Sequence, residues 1–535
     1  MLSTMMHTPL GATALLEFGR RHFADSRIGD YNGESVTWSS YAEVVAVAAK
    51  LANALAAEGL ANADVVGTFM WNSTAHLSTY LAVPAMGGVL HTVNCRLAPE
   101  QISYIINHAN DQFVLVDGRL EDQFAPVLAS IPKVRKIIVV DPQGGLAYDS
   151  RVVSFIDFIA GHSDRYAWSE VDENQAAGIC YTSGTTGNPK GVVYSQKTTY
   201  LHALASRSVD SFAVCERDII LMLPSMFHAN AWGFPYSGWL SGSDMLMPGP
   251  HTQVGHLRVM IEAAKPTLTA LVPTVLGDLL REHDRQPLDL SCFRSIICGG
   301  SAVPSAMIKR VDQLWQVPVI QGWGMTETSP MCVLSHPPKM LDGREPIEWQ
   351  LKSGRPVPGV SVRIVDETGA PLPSDGSTIG ELELRGAWVA SGYLEVDDSP
   401  CSEDGWLRTG DIGNIDSRGF VQLTDRKKDV IKSGGEWISS LDLEDVLLTH
   451  SEVDEVAVIA IPDERWQERP FALVVAKKGS TLKASELRVF LQDLVARFWV
   501  PEYWLFVAEL DRTSVGKVDK KRIRERFLAG ELLPE

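Results

Sequence analysis

The stretch Tyr181 to Gly191, YTSGTTGNPKG, gathers the hydroxyls of Thr182, Ser183, Thr185 and Thr186 with Gly184 and its fellow glycines and the ammonium of Lys190. Glycine lets backbone N–H groups approach an oxyanion, hydroxyls donate further hydrogen bonds, and lysine adds a point charge. The string is a candidate cradle for phosphate oxygens, and it follows an apolar, strand-like run. It is not the P-loop GxxxxGK[ST], because Pro189 stands where that motif needs glycine and Gly191 where it needs Ser or Thr. A Rossmann fingerprint is absent here as well. Taken alone, a string rich in Gly and Thr also reads as a surface turn.

As a whole, the string resembles the phosphate loop of the acyl-adenylate-forming superfamily, which contains acyl-CoA ligases, peptide-synthetase adenylation domains and luciferases. Further stretches carry the same resemblance. QGWGMTE, Gln321 to Glu327, is similar to the family's adenine and metal segment. The resemblance implies that Gln321, Gly322, Trp323 and Gly324 lie along the adenine, and that Glu327 holds Mg²⁺ with Thr182, Thr326 standing beside it. Trp323 replaces the more usual tyrosine, which predicts retained stacking and a lost hydroxyl contact. DGWLRTGDIGNIDSRGFVQLTDRKKDVIKSGGEWIS, Asp404 to Ser439, resembles the ribose and hinge region. By that resemblance Asp411 accepts the ribose hydroxyls, Arg426 approaches ribose and phosphate, Asp425 is the hinge, and Lys428 and Lys432 add nucleotide contacts. Gly434 and Gly435 would let the pantetheine arm of CoA pass, with Trp437 against adenine or CoA. As a bare charge run, these basic residues also read as a solvated linker.

DRTSVGKVDKKRIRE resembles the family's last motif and implies that Lys517 binds the acid's carboxylate and the α-phosphate, with Lys520 and Lys521 as local alternatives. A basic helix cap is the plainer reading of Lys517. LPSMFHANAWGFPY resembles the bacterial medium- and long-chain fatty acyl-CoA synthetase branch, in which Trp232 would gate an acyl tunnel beside His228. CGGSAVP resembles the pocket floor, with Gly300 and Ser301 against the acyl group and Gly300 also near the nucleotide. Gln196-Lys197, where relatives often carry His-Arg, leaves open a contact with nucleotide or with a dimer surface.

The resemblance implies an ATP-dependent, Mg²⁺-assisted acid–thiol ligase. A carboxylic acid, with a medium- or long-chain fatty acid favoured, becomes acyl-AMP with release of pyrophosphate and then a CoA thioester. Lys517, Glu327 and Thr182 would be its catalytic residues. The alternative acceptor is a carrier protein or separate transferase, with a specialised short thioether or terpenoid acid as substrate. A non-catalytic sensor is opposed by the intact set Thr182, Lys190, Glu327, Asp411, Arg426 and Lys517. A homodimer is implied by analogy with bacterial relatives.

Elements must hold these strings in place. From residue 35 to about 325, helix-like stretches alternate with short apolar runs such as DVVGTFMW, QFVLVD, KIIVVD, LTALVP and SIICGG. Such runs between amphipathic helices predict an α/β body of two mostly parallel sheets flanked by helices. Between about 350 and 424, alternating strands with Gly, Pro and Asp turns predict a small antiparallel, barrel-like β subdomain. LDLEDVLLTH, EVAVIAI, FALVVAK and the helix-like ASELRVFLQDLVARF predict a compact α+β unit after it. The expected domains are 1–424 and a mobile 425–535, joined at Asp425.

Composition narrows the partners. A formal charge of −18 argues against a general polyanion-binding surface, so nucleic acid is not expected. The seven scattered cysteines form no CxxC pair, hence neither a disulfide framework nor a zinc site is expected. MLSTMMHTPLGATALLEFGRR lacks a basic n-region followed by a long apolar h-region, which makes the cytoplasm the expected location. YLAVPAMGGVLHTV is broken by Pro84, Gly87 and Gly88, too short to span a bilayer, and reads as core.

Overall fold

The computed structural model describes residues 3–182, 188–433, 436–492, 494–513 and 517–534. Two large sheets dominate. In the seven-stranded one, Val152–Ser154, Lys136–Val140, Asp111–Asp117, Val65–Phe69, Val89–Thr92 and Ala176–Tyr181 run parallel, and Gly191–Ser195 closes the edge antiparallel. The nine-stranded sheet runs parallel from Val319–Trp323 through Ser295–Gly299, Leu268–Leu271, Ile219–Leu221 and Asp244–Met247 to Arg27–Tyr31. Antiparallel strands flank it on both edges.

Helices cover the sheets for reasons visible in their ends and faces. The helix Tyr41–Ala57 starts at Ser40, whose side chain accepts the Glu43 N–H while the Glu43 carboxylate accepts the Ser40 N–H, so two orphan donors are satisfied reciprocally. Its buried face carries Val44, Val45, Ala48, Leu51 and Leu55. The string YLAVPAMGGVLHTV forms the end of helix Thr74–Ala85 and the strand Val89–Thr92, almost wholly buried, as expected of core. Among the described residues no helix is long and apolar enough to cross a membrane.

Parallel strands present ligands at their carboxyl ends, outside the sheet. Ala176–Tyr181 ends at the phosphate-type string, and Tyr181 pairs with Gly191, so Thr182 and Lys190 leave the paired strands side by side at that edge. In the larger sheet Gly299 stands opposite Gly322, which brings the ends of CGGS and QGWG side by side. A methyl on Gly299 would lie 2.4 Å from the Gly322 carbonyl oxygen, so this close approach requires glycine.

A four-stranded antiparallel meander follows: Val360–Val365, Gly380–Gly386, Leu407–Ile415 and Val421–Arg426. Its inward residues Ile364, Leu382, Leu384, Leu407 and Val421 join the main core. The last sheet contains Ile431–Ser433, Glu436–Ile438, Val453–Asp463, Gln467–Ala476 and Tyr503–Phe506, with helices Ser440–Leu448, Ala484–Leu491 and Lys520–Leu528 around it. The helix expected over ASELRVFLQDLVARF stops at Leu491, and a short 3-10 turn, Arg497–Trp499, replaces its end.

Gln196 and Lys197 take structural roles. The Gln196 side chain accepts the Ala12 N–H at 2.8 Å and donates to the Pro84 carbonyl at 2.9 Å, while Lys197 pairs with Glu173 at 2.7 Å. Gln196 thus anchors the first helix, Ala12–His22, to the body.

Candidate active site

The last two strands of the meander set Asp411 opposite Arg426, whose Nε lies 3.5 Å from Asp411 Oδ1. Asp411 Oδ2 accepts the Trp323 Nε1–H at 2.8 Å. The indole N–H of Trp323 therefore aims the carboxylate expected to take the ribose. Burial pushes the Asp411 carboxyl above its usual range, and Arg426, the Trp323 N–H and Lys517 oppose that shift. Gln321 acts as a frame: its Oε1 accepts the Val303 N–H at 3.4 Å, and its Nε2 donates to the Gln350 carbonyl at 3.0 Å. Gly324 packs so closely that a methyl would sit 1.7 Å from the Pro330 carbonyl oxygen.

At the end expected to take the phosphates, the Thr182 N–H donates to the Lys190 carbonyl at 2.9 Å. Ser183, Gly184, Thr185 and Thr186 lie outside the described residues. Lys190 Nζ stands 4.9 Å from the centre of the Tyr393 ring, and the Tyr393 hydroxyl donates to Glu327 Oε1 at 2.6 Å. The Tyr194 hydroxyl donates to the Thr326 carbonyl at 2.7 Å, which joins the loop's second strand to the Glu327 turn. Below the loop, Tyr181 and His108 share a hydrogen bond at 2.7 Å.

Glu327 is buried and fits the expected cation. Among the described residues no group of three or more His, Cys, Asp or Glu side chains could hold a metal. A single carboxylate with hydroxyls nearby suits Mg²⁺, which keeps waters and completes its shell with substrate phosphates.

At the end expected to take the acid, Lys517 reaches Gly300. A methyl there would lie 3.3 Å from Lys517 Cε and 3.6 Å from Nζ, a close approach the flexible lysine can relieve, while the φ of +86° at Gly300 is what favours glycine. Trp232 reaches the same floor, with Cη2 3.4 Å from a methyl placed on Gly299. Ser301 is exposed beside it. The Trp232 loop is strained: Ala229, Asn230, Ala231 and Trp232 have φ of 42°, 50°, 48° and 57°. L-residues pay for left-handed backbone, and the loop is held from behind. Buried Asn72 donates to the Met222 and Pro224 carbonyls at 2.7 and 2.9 Å and accepts the Met226 N–H at 2.7 Å. His228 is brought down to about 4 by burial, then by Lys517 and Arg96, so it faces the site neutral at pH 7.

The neighbouring lysines separate by position. Lys520 is tied to Ser440 Oγ at 2.6 Å and Glu444 at 2.7 Å, and Lys521 pairs with Glu525 on the exposed face of its helix. Only Lys517 of the three approaches Gly300. Asp425 is buried and accepts the Ser440 N–H and hydroxyl at 2.7 and 2.6 Å, so the expected hinge carboxylate caps the helix Ser440–Leu448. Lys428 is exposed and feels Arg426, while Lys432 lines a groove with Lys427, Glu381 and Ile412. Gly434, Gly435 and the Trp437 side chain lie outside the described residues. The C-terminal unit is held in place by the Ser305 N–H donating to Asp445 at 2.9 Å and by Arg281 3.6 Å from Asp454.

Burial, then Arg426, brings Lys517 down to about 8, with Asp411 opposing. The ammonium is therefore present below about pH 8 and lost as pH rises through it. We expect kcat/KM for ATP in pyrophosphate release to fall roughly tenfold per pH unit above that point, since this ratio reports the free enzyme. Lys517→Arg keeps its charge and should give a lower but level profile. A wild-type profile level into strongly alkaline solution would remove Lys517 as the charged group required.

The arrangement has counterparts. Residues 17–394 match the model of the AMP-binding enzyme family, and 442–517 match the AMP-binding enzyme C-terminal domain. The medium-chain-fatty-acid–CoA ligase of Ectopseudomonas oleovorans is 39% identical over 100% of this chain and 98% of its own. The long-chain-fatty-acid–CoA ligase of Thermus thermophilus is 40% identical over 98% and 97%. The 3-methylmercaptopropionyl-CoA ligase of Ruegeria pomeroyi is 36% identical over 98% and 99%. Among solved structures, ATP-bound MatB from Rhodopseudomonas palustris superposes with a TM-score of 0.84 at 27% identity, covering 97% of this chain and 99% of that one. The anthranilate CoA ligase AuaEII with anthranoyl-AMP gives 0.89 at 24% identity over 99% and 100%, a likeness of fold. Because the match runs through both the body that carries Asp411 and the unit that brings in Lys517, this chain belongs to the AMP-binding enzyme family, the acyl-adenylate-forming superfamily.

Proposed function

We propose that this enzyme activates a medium- or long-chain fatty acid as acyl-AMP and transfers it to CoA. The observation that carries the reading is Lys517 lying against Gly300 within electrostatic reach of Asp411 and Arg426. One ammonium is thereby shared between the floor expected to hold the carboxylate and the groups expected to hold the nucleotide.

In the first half-reaction a carboxylate oxygen attacks the α-phosphorus of ATP, the bond to the β-phosphate oxygen breaks, and pyrophosphate leaves. Asp411 fixes the ribose, held in turn by the Trp323 N–H. Lys517 offsets charge on both reacting groups, and Lys190 with the hydroxyls of the hairpin loop receives the leaving phosphates. Mg²⁺, held by Glu327 with Thr182, supplies charge neutralisation when bound. In the second half-reaction the CoA thiolate attacks the acyl carbon and AMP leaves with the electron pair of the broken C–O bond. Neutral His228 adds no competing charge near the acyl group. Rotation at Asp425 would withdraw Lys517 and bring in Gly434, Gly435 and Trp437. The fatty acid rests on the two fatty-acid–CoA ligases among the relatives and on Trp232 at the pocket floor. A homodimer in the cytoplasm belongs to the same reading.

The test is mass spectrometry of AMP and acyl products from purified protein with MgATP, CoA and acids from propionate to stearate, plus methylthio and cyclic acids. Greatest turnover with the longer linear acids is expected. Acyl-AMP and pyrophosphate without any thioester would defeat CoA as acceptor, and preference for methylthiopropionate would defeat the fatty acid.

A further inference from the structure

Glu327 and Lys190 act on the same phosphates in this reading, yet they come from different sheets, and among the described residues no hydrogen bond or ion pair joins them directly. The segment 390–394 joins them instead. The Ala390 N–H donates to the Glu327 carbonyl at 2.8 Å, and the Leu394 N–H donates to the Gly191 carbonyl, also at 2.8 Å. Between these ties stands Tyr393, with its hydroxyl on Glu327 Oε1 at 2.6 Å and its ring beneath the Lys190 ammonium at 4.9 Å. Ala390 and Tyr393 also pack on the small cluster of Cys180, Val192 and Tyr194 under the hairpin. The side chain is thus held at both ends and from behind.

We propose that Tyr393 is a positioning residue for adenylation, orienting the Glu327 carboxylate toward the divalent cation and Lys190 toward the departing phosphates. This rests on the reading of Glu327 as the cation's ligand. A carboxylate that accepts a fixed hydrogen bond on one oxygen cannot swing, and its other oxygen keeps one direction. Groups that orient a metal ligand in this way commonly change metal affinity by about ten- to a hundredfold when removed. The ring acts separately, since a cation over an aromatic face at a partly exposed site is worth only a few-fold in affinity. A phenol ordinarily titrates at about 10, so it is a donor at physiological pH.

The two functions can be separated by variants. Tyr393→Phe keeps the ring and removes the donor, while Tyr393→Leu removes both. Mn²⁺ binding to the full-length protein is measured by electron paramagnetic resonance in the presence of α,β-methylene-ATP, alongside calorimetric melting and the affinity for metal-free nucleotide. For Tyr393→Phe we expect Mn²⁺ affinity to fall about tenfold or more, with metal-free nucleotide affinity and melting unchanged. For Tyr393→Leu we expect the same loss and a further few-fold loss of nucleotide affinity. A purely packing role would lower melting and nucleotide affinity together and leave Mn²⁺ affinity in Tyr393→Phe at the wild-type value, which overturns the proposal. Glu327→Gln separates the levels. If it weakens Mn²⁺ binding while Tyr393→Phe does not, the proposal alone fails. If neither variant weakens it, the reading of Glu327 fails and takes the proposal with it.

Discussion

Lys517→Ala is expected to slow acyl-AMP formation by about 10²–10³-fold, while thioester formation from supplied acyl-AMP and CoA stays within a few-fold of wild type. The asymmetry follows from where charge develops. In adenylation an anionic carboxylate approaches an anionic phosphate, and Lys517, against Gly300 and facing Asp411 and Arg426, is the cation we propose to stand between them. In thioester formation the leaving group is AMP, whose charge Arg426 still faces, and the acyl carbon no longer carries a free carboxylate. Burial makes Lys517 a strong electrostatic partner because little water screens it, and for the same reason its proton is held less tightly. Lys520→Ala is the control: its ammonium is bound to Ser440 and Glu444 beside the hinge, so it should alter stability and domain placement before charge stabilisation. Rapid-quench measurement of pyrophosphate and separate measurement of thioester from synthetic acyl-AMP would decide. Equal losses in both half-reactions would mean that Lys517 serves the fold or both steps alike.

Much of this site was legible because its parts are local strings whose residue types already state their chemistry. The phosphate hairpin, the Asp411 strand and the Lys517 loop each fall within a short run, and the apolar strands that end in them were recognisable from length and flanking turns. What was not legible depends on contacts distant along the chain. Tyr393 meets Glu327 across 66 residues of sequence, so nothing near either residue announces the bond. Trp323 read as a tyrosine that had lost its hydroxyl. Only the register of the meander, which places Asp411 88 residues away within 2.8 Å of the indole nitrogen, turns the change into a gained donor. Likewise, Lys520 and Lys521 stood open as local alternatives to Lys517 until helix Lys520–Leu528 turned Lys520 toward the hinge and left Lys517 on the preceding loop. Helix periodicity overran its end after Leu491 because an amphipathic pattern continues in sequence where the backbone does not.

The gained donor gives the second large effect. Asp411→Asn should raise the dissociation constant for ATP about a hundredfold, because it weakens hydrogen bonds in which the acceptor is charged, each worth roughly 1.5–3 kcal/mol. The amide also presents N–H toward either the Trp323 N–H or Arg426, so one existing contact must break. Trp323→Phe keeps a stacking face and removes only the indole donor, for which about a tenfold loss is expected. If both residues act through the ribose, the loss must depend on the ribose hydroxyls. Wild type should bind 2′-deoxy- and 3′-deoxy-ATP distinctly more weakly than ATP, whereas Asp411→Asn should barely distinguish them. Calorimetric titration of each protein with each nucleotide completes that cycle, and the pairwise term is the measure of the contact. Undiminished discrimination in Asp411→Asn would place the ribose elsewhere. Asp411 would then be a partner that holds Arg426 and Lys517 rather than a ligand of the nucleotide.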